Sequence, residues 1–277
     1  MPKLCLGMNG FIAGESKSKI IRFASEAGFD GVELVPHYTD YSVKGEERKK
    51  TRKEYERFGL EIPAIQSHPQ GLYNPASSDD KIRQKYVDAV NENIEFALDM
   101  GATNVGVWPF FYAVGTPYEK QIERLIDTYK RLVSLAEQNN IVISMEAEPI
   151  LINGAYPDVF PRIINEVDSR YFKALFHFAH ANITSNGDPM GLLKALAGKI
   201  GWVHVADNDG TRSRYMGTSK HLTIGEGNLD VEGMLKVLKE SGYNKWLEID
   251  VWEHPEPFEC AEKGKKALES ILKRISW

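Results

Sequence analysis

Short apolar runs alternate with longer amphipathic stretches along the whole chain. The runs KLCLGM (3–8), GVELVP (31–36), EIPAIQSH (61–68) and TNVGVWP (103–109) read as strands. So do IVISMEAEP (141–149), FKALFHFAH (172–180), IGWVHVAD (200–207) and KWLEIDVW (245–252). Between them lie segments with helical spacing. The first covers 15–29 and closes at Gly28; the next covers 44–60. Segment 79–101 opens on acidic residues and closes at Gly101, as capping predicts. Segments 117–140, 188–198, 229–242 and 257–275 follow the same pattern, with a weaker one near 157–167. Strands rich in Val, Ile and Leu suit a parallel sheet covered on both faces. Eight strand–helix units, with no Pro/Gly/Ser-rich linker between them, predict an α/β fold: a single (β/α)8 TIM barrel over residues 1–277.

Composition narrows the class without changing that picture. The chain has 277 residues, 42% hydrophobic and 26% charged, enough to bury a large core without staples. A net charge of −5 offers no electrostatic footprint for nucleic acid. Two cysteines, Cys5 and Cys260, do not make a disulfide framework; they point to a reducing, cytoplasmic setting. No apolar run approaches the roughly 20 residues of a membrane span. The opening MPKLCLGMNG reads as a first strand, not a signal peptide. The charge run KGEERKKTRKEYER reads as a solvated helix face.

In a barrel of this kind, chemistry gathers at the C-terminal ends of the strands. Here those ends carry His68, Trp108, Glu146 with Glu148, His177 with His180, His204 with Asp207, and Glu248 with Asp250. Strands 1 and 2 offer Asn9 and His37. Two imidazoles and two carboxylates suit one borderline divalent ion such as Mn²⁺, Co²⁺ or Zn²⁺. Glu146 and Glu148 stand two apart, as do Glu248 and Asp250, so each pair shares one side of its strand. One carboxylate of a pair can hold metal while the other meets substrate. A metal between carboxylates polarises a ketone or hydroxyl oxygen while they move a proton beside it. Single residues keep blander readings. His68, before Pro69, fits a loop cap as well as a substrate contact, Trp108 fits packing as well as stacking, and His37 and His254 read as rim residues.

Six segments in order carry a resemblance: GFDGVEL (28–34), ISMEAEP (143–149), LFHFAHANI (175–183), VHVADNDG (203–210), HLTIGEGNLD (221–230) and WLEID (246–250). They resemble motifs of the xylose-isomerase-like TIM-barrel superfamily of sugar isomerases, epimerases and dehydratases, which also contains endonuclease IV. The resemblance implies metal ligands at Glu146, His177, His204 and Glu248, with Glu146 and Glu248 as the catalytic acid and base. It implies substrate contacts drawn from Glu148, His180, Asp207 and His221, beside the strand-end candidates His68 and Trp108. The sequence departs from the family at His177, where members usually carry an aspartate. An imidazole there removes one negative charge and softens the site toward Zn²⁺, Co²⁺ or Mn²⁺.

The function this implies is a divalent-metal-dependent sugar or keto-sugar isomerase or epimerase, working by proton transfer next to a carbonyl. Elimination from a keto-sugar, as in an inosose dehydratase or a C-glycoside deglycosidase, would use the same machinery. An endonuclease IV-like nuclease is a further reading, with His221 on a ligand position; but Trp108 stands where that enzyme needs a histidine, and the chain is acidic. A barrel that only binds a sugar or a partner is the last. The expected ligand is a small-molecule sugar, with no nucleic acid and no membrane, and the aromatic WPFFY leaves room for a homo-oligomer or a partner subunit.

Overall fold

The computed structural model describes residues 1–11, 14–35, 45–67 and 73–277. Its strands are β1 (Lys3–Gly7), β2 (Gly31–Leu34), β3 (Glu61–Ser67), β4 (Asn104–Val107), β5 (Val142–Glu146), β6 (Phe172–His177), β7 (Ile200–Val205) and β8 (Trp246–Ile249). They pair in parallel in chain order, and β1 closes on β8. The described helices are α1 (Lys17–Glu26), α2 (Glu46–Arg57), α3 (Asp80–Met100), α4 (Tyr118–Asn139), α5 (Val159–Val167), α6 (Phe178–Thr184), α7 (Pro189–Ala195), α8 (Val231–Glu240) and α9 (Pro257–Arg274). This is a single (β/α)8 barrel. Side-chain caps start several helices: Ser16 for α1, Asp79 for α3, Asp188 for α7 and Asp230 for α8. Gly101 ends α3 in the left-handed conformation, at φ 81°. Among the described residues no helix is long and apolar enough to cross a membrane.

Every strand is buried on both faces, but the two faces differ. Leu6, Val32, Ile65, Val105, Met145, Val203 and Leu247 belong to one continuous apolar layer with helix residues such as Ile21, Val90, Leu132 and Leu268. Alternate positions form a second, much smaller cluster of Cys5, Ala64, Leu175 and Trp202, with Trp246 packed against it. Above that plug the inward positions turn polar, and Glu33, Gln66, His204 and Glu248 are all buried. Glycine makes room for them. A Cβ on Gly7 would meet Glu248 Oε1 at 2.2 Å, and one on Gly106 would meet Gln66 Oε1 at 2.1 Å.

Where their ends are described, the apolar runs overshoot the strands by one to three residues, because their last residues leave the sheet. At 172–180 the run ends in a helix. The strand stops at His177, whose side chain caps α6 by accepting from the His180 backbone N–H at 3.4 Å. His177 and His180 are therefore three apart on a helical turn, and their rings stack with centroids 3.9 Å apart.

Candidate active site and metal centre

Register brings the chemistry together. His177 pairs with His204 across β6 and β7, and His204 with Glu248 across β7 and β8. His204 is the hub. Its Nε2 lies 3.1 Å from Glu33 Oε2 and 3.0 Å from Glu248 Oε2. Its Nδ1 lies 3.5 Å from Glu146 Oε1 and 3.9 Å from Asp250 Oδ2, buried and without a hydrogen-bond partner. Burial would depress the His204 imidazole, but the carboxylates of Glu248 and Glu33 outweigh it and hold the pKa well above the usual value.

The four expected metal ligands occupy two levels. Glu146, His177 and His204 offer donor atoms within 4.8 Å of one another, and so do Glu33, His204 and Glu248. Glu248 stands on the Nε2 side of His204, where Trp202 Nε1–H donates to it at 3.1 Å. Burial, then the neighbouring Glu33, raises the Glu248 carboxyl well above the carboxylate range. Asp250, two residues on, reaches the other side: its Oδ2 lies 2.9 Å from His177 Nε2 and 3.8 Å from His221 Nε2. Burial opposes ionisation of Asp250, but the imidazoles of His221 and His177 outweigh it and hold its pKa well below the usual value.

A third group of donors is made by His177, His180 and His221. His221 Nδ1–H donates to the Trp252 carbonyl at 3.0 Å, which leaves Nε2 as a lone pair 2.9 Å from His177 Nε2. His180 Nδ1 is 2.6 Å from Ser219 Oγ. Burial holds both imidazoles below the ordinary value, His221 at about 4.

A cavity of about 210 Å³ opens onto these groups. Trp108, Glu146, Glu148, His180 and His221 line it, and Trp108 Nε1–H donates to Glu146 Oε2. Burial pushes the Glu148 carboxyl up to about 7, with Glu146 adding to the effect. Asp207 does not line the cavity. Its carboxylate accepts from the amides of Asn208, Gly225 and Leu229, at 2.8, 2.9 and 3.2 Å, and so organises the loop after β7. His68 and His37 lie outside the described residues.

Residue-by-residue reasoning missed Glu33, Gln66 and Trp252, which also line the cavity. Glu33 had a readable signal: it is the one charge inside an apolar strand run, and a charge buried there needs a partner. Gln66 gave no comparable signal.

The donors fit a divalent cation. His204 Nδ1 is a buried, unpartnered nitrogen facing carboxylates, while the opposite nitrogen is oriented by Glu33, the arrangement of a carboxylate–histidine–metal relay. A closed parallel barrel with such a mouth is the build of an enzyme acting on a small polar molecule. The chain belongs to the xylose isomerase-like TIM-barrel family, whose profile it matches over residues 21–273. It is 24% identical to the L-ribulose-5-phosphate 3-epimerase UlaE of Salmonella heidelberg over 260 residues, covering 91% of this chain and 88% of that protein. It superposes on a D-tagatose 3-epimerase-like protein with TM-score 0.82 at 25% identity, covering 99% and 98% of the two chains. The zinc-bound IolI protein superposes with TM-score 0.81 at 17% identity, covering 99% of each chain.

Proposed function

We propose that the protein is a divalent-metal-dependent epimerase or isomerase of a keto-sugar. The ion, Mn²⁺, Co²⁺ or Zn²⁺, would be held by Glu146, His177 and His204, with Asp250 in the place that sequence reasoning gave to Glu248. The observation that carries this is the unpartnered Nδ1 of His204, which faces Glu146 and Asp250 while Nε2 is taken up by Glu33 and Glu248. When bound, such an ion supplies electrophilic polarisation of a carbonyl oxygen and its neighbouring hydroxyl.

The residues then divide the work. Trp108 holds one oxygen of Glu146, leaving Oε1 turned toward His204 and His180. Glu146 and Asp250 come from β5 and from just beyond β8, with β6 and β7 between them. One takes the proton from the carbon beside the carbonyl, and the other returns one, to the same carbon for epimerisation or to its neighbour for isomerisation. Glu33 fixes the ring orientation of His204. His180 and His221, held neutral by burial, offer hydrogen bonds to hydroxyls. Glu148 remains the other strand-5 carboxylate within reach of substrate.

Purified protein assayed for bound metal, then incubated with a ketose panel in deuterated buffer, tests this reading. Bound divalent metal and deuterium at the carbon next to the carbonyl are expected. Absence of both metal binding and deuterium uptake would refute it, and loss of a leaving group in the product would assign elimination in its place.

A further inference from the structure

The loop after β7 returns to the site as a strap. Within it, Ser213 N–H donates to the Thr218 carbonyl at 2.8 Å and Lys220 N–H to the Thr211 carbonyl at 3.1 Å. Arg212 and Ser219 face each other in an antiparallel bridge. The strap is tied to both neighbouring loops: Arg212 Nη1–H donates to the Pro149 carbonyl at 3.3 Å, and Ser213 Oγ–H donates to Glu253. Tyr215 and Met216 at its tip are exposed, whereas Ser219 at its base is fully buried. From there Ser219 Oγ reaches His180 Nδ1 at 2.6 Å. His180 stacks on His177, its ring centroid lies 5.3 Å from that of His221, and the residue is 5% exposed. An imidazole packed against two others and out of water is neutral, with a hydrogen on one ring nitrogen only.

Resting on the keto-sugar reading, we propose that Ser219 is a positioning residue that fixes His180 as its Nε2–H tautomer, so that the ring donates to a substrate oxygen beside Glu146. The direction of the hydrogen bond follows from burial. A buried hydroxyl hydrogen needs an acceptor, and among the described residues the one that Ser219 Oγ meets is His180 Nδ1. With Nδ1 accepting, the hydrogen of the neutral ring stands on Nε2. Glu146 does not consume it, because its Oε1 lies 3.6 Å from that nitrogen, beyond hydrogen-bonding distance. Both residues line the cavity, and a substrate oxygen there can accept from Nε2–H. His221 is set the other way. The Trp252 carbonyl takes its Nδ1–H at 3.0 Å, and Nε2 keeps the lone pair. His180 and His221, both lining the cavity, are therefore a donor and an acceptor, each fixed through Nδ1 by a different loop. The assignment also removes His180 Nε2 from the three-imidazole group as a metal ligand, since a protonated nitrogen has no lone pair to give.

Long-range proton–nitrogen correlation spectra of the full chain with nitrogen-labelled histidines tell the two tautomers apart without any substrate, and His180→Gln assigns the His180 signals by deleting them. At neutral pH, metal-free and Zn²⁺-loaded, His180 should carry its hydrogen on Nε2 and a lone pair on Nδ1. A hydrogen on Nδ1, alone or together with one on Nε2, would overturn the proposal. Ser219→Ala should bring the Nδ1–H form into the spectrum. It should also lower kcat/KM for the best ketose about tenfold, the worth of one hydrogen bond. A loss of activity in Ser219→Ala with the Nε2–H form unmixed would assign the loss to packing and overturn the proposal. So would mixed tautomers with kcat/KM unchanged, because the ring would then not serve the substrate. A wild type that shows the Nε2–H form but turns over no ketose loses the epimerase reading and keeps the setting of the ring by Ser219. Ketose turnover by a protein with the hydrogen on Nδ1 does the reverse, so the two failures are distinguishable.

Discussion

On the outer side of the strands, Leu6, Val32, Ile65, Val105 and Val203 share one apolar layer with the helices. On the inner side, apolar contact ends at the plug of Cys5, Ala64, Leu175 and Trp202. Above the plug the inward strand positions include the polar or charged Glu33, Gln66, His204 and Glu248. The outer face is dominated by apolar side chains, its tyrosines Tyr55, Tyr86 and Tyr129 apart, and its stabilisation scales with apolar area. The inner face buries several carboxylates and imidazoles that are costly unless paired with one another or with a cation. The same contrast recurs within two residues of β8 and its exit. Glu248 rests on the Trp202 indole at the level of Glu33, and Asp250 faces the imidazoles of His177 and His221. Both line the cavity, and in the function proposed above the first would support the site while the second would enter it.

The sharpest way to break that comparison is to remove charge at each level in turn. Glu146→Gln and Asp250→Asn should each cut kcat/KM by about 10²–10⁴-fold or more, since each removes a proton carrier and a ligand. Glu248→Gln and Glu33→Gln should keep partial activity and weaken metal binding by about 10–100-fold, the usual cost of a supporting partner. Metal titration alongside kinetics decides it. Full metal affinity in Asp250→Asn with none in Glu248→Gln would exchange the two roles.

On the outer face the expectation is reversed. Leu6→Ala, in the layer shared by strands and helices, should cost about 2–5 kcal/mol of stability and leave metal affinity and KM unchanged. Chemical denaturation with and without metal reads both. A change in metal affinity would mean that the two faces are mechanically coupled.

Acid titration of the metal-free protein probes the inner face more gently. His221 has a folded pKa of about 4 against 6.5 for the unperturbed group, because burial disfavours its charged form. The unfolded chain therefore binds this proton first as pH falls. The contribution of His221 is complete above about 6.5 and is lost as pH drops toward 4. Melting temperature should fall across that window, and His221→Asn should flatten the slope. An identical slope in the variant would place the acid sensitivity elsewhere. The smallest effect concerns the thiols. Burial pushes the Cys260 thiol up to about 11, so at pH 8 it should react with a thiol reagent only after denaturation.

Much of this molecule is written in order along the chain. The eight-fold alternation of apolar runs and amphipathic segments determines the barrel, because parallel strands buried on both faces must read as apolar and each needs a covering helix. The strand-end residues Glu146, His177, His204 and Glu248 are legible for the same reason: a barrel sends its strand ends to one mouth. The sequence does not determine how far along the barrel axis each side chain stands. Glu248 and Asp250 share one side of β8 and its extension, and only closure of β8 onto β1 and β7 sets Glu248 against Trp202 and Asp250 against His177. Likewise nothing local shows that Asp207 turns to the amides of its own loop, or that the strand run at 172–180 breaks into a helix after His177. Glu33 is visible as a lone charge in an apolar run, but its partner is 171 positions away in sequence and 3.1 Å away in space. Periodicity determines which face a residue occupies; shear and closure of the barrel decide its height, and height decides which groups share a cation.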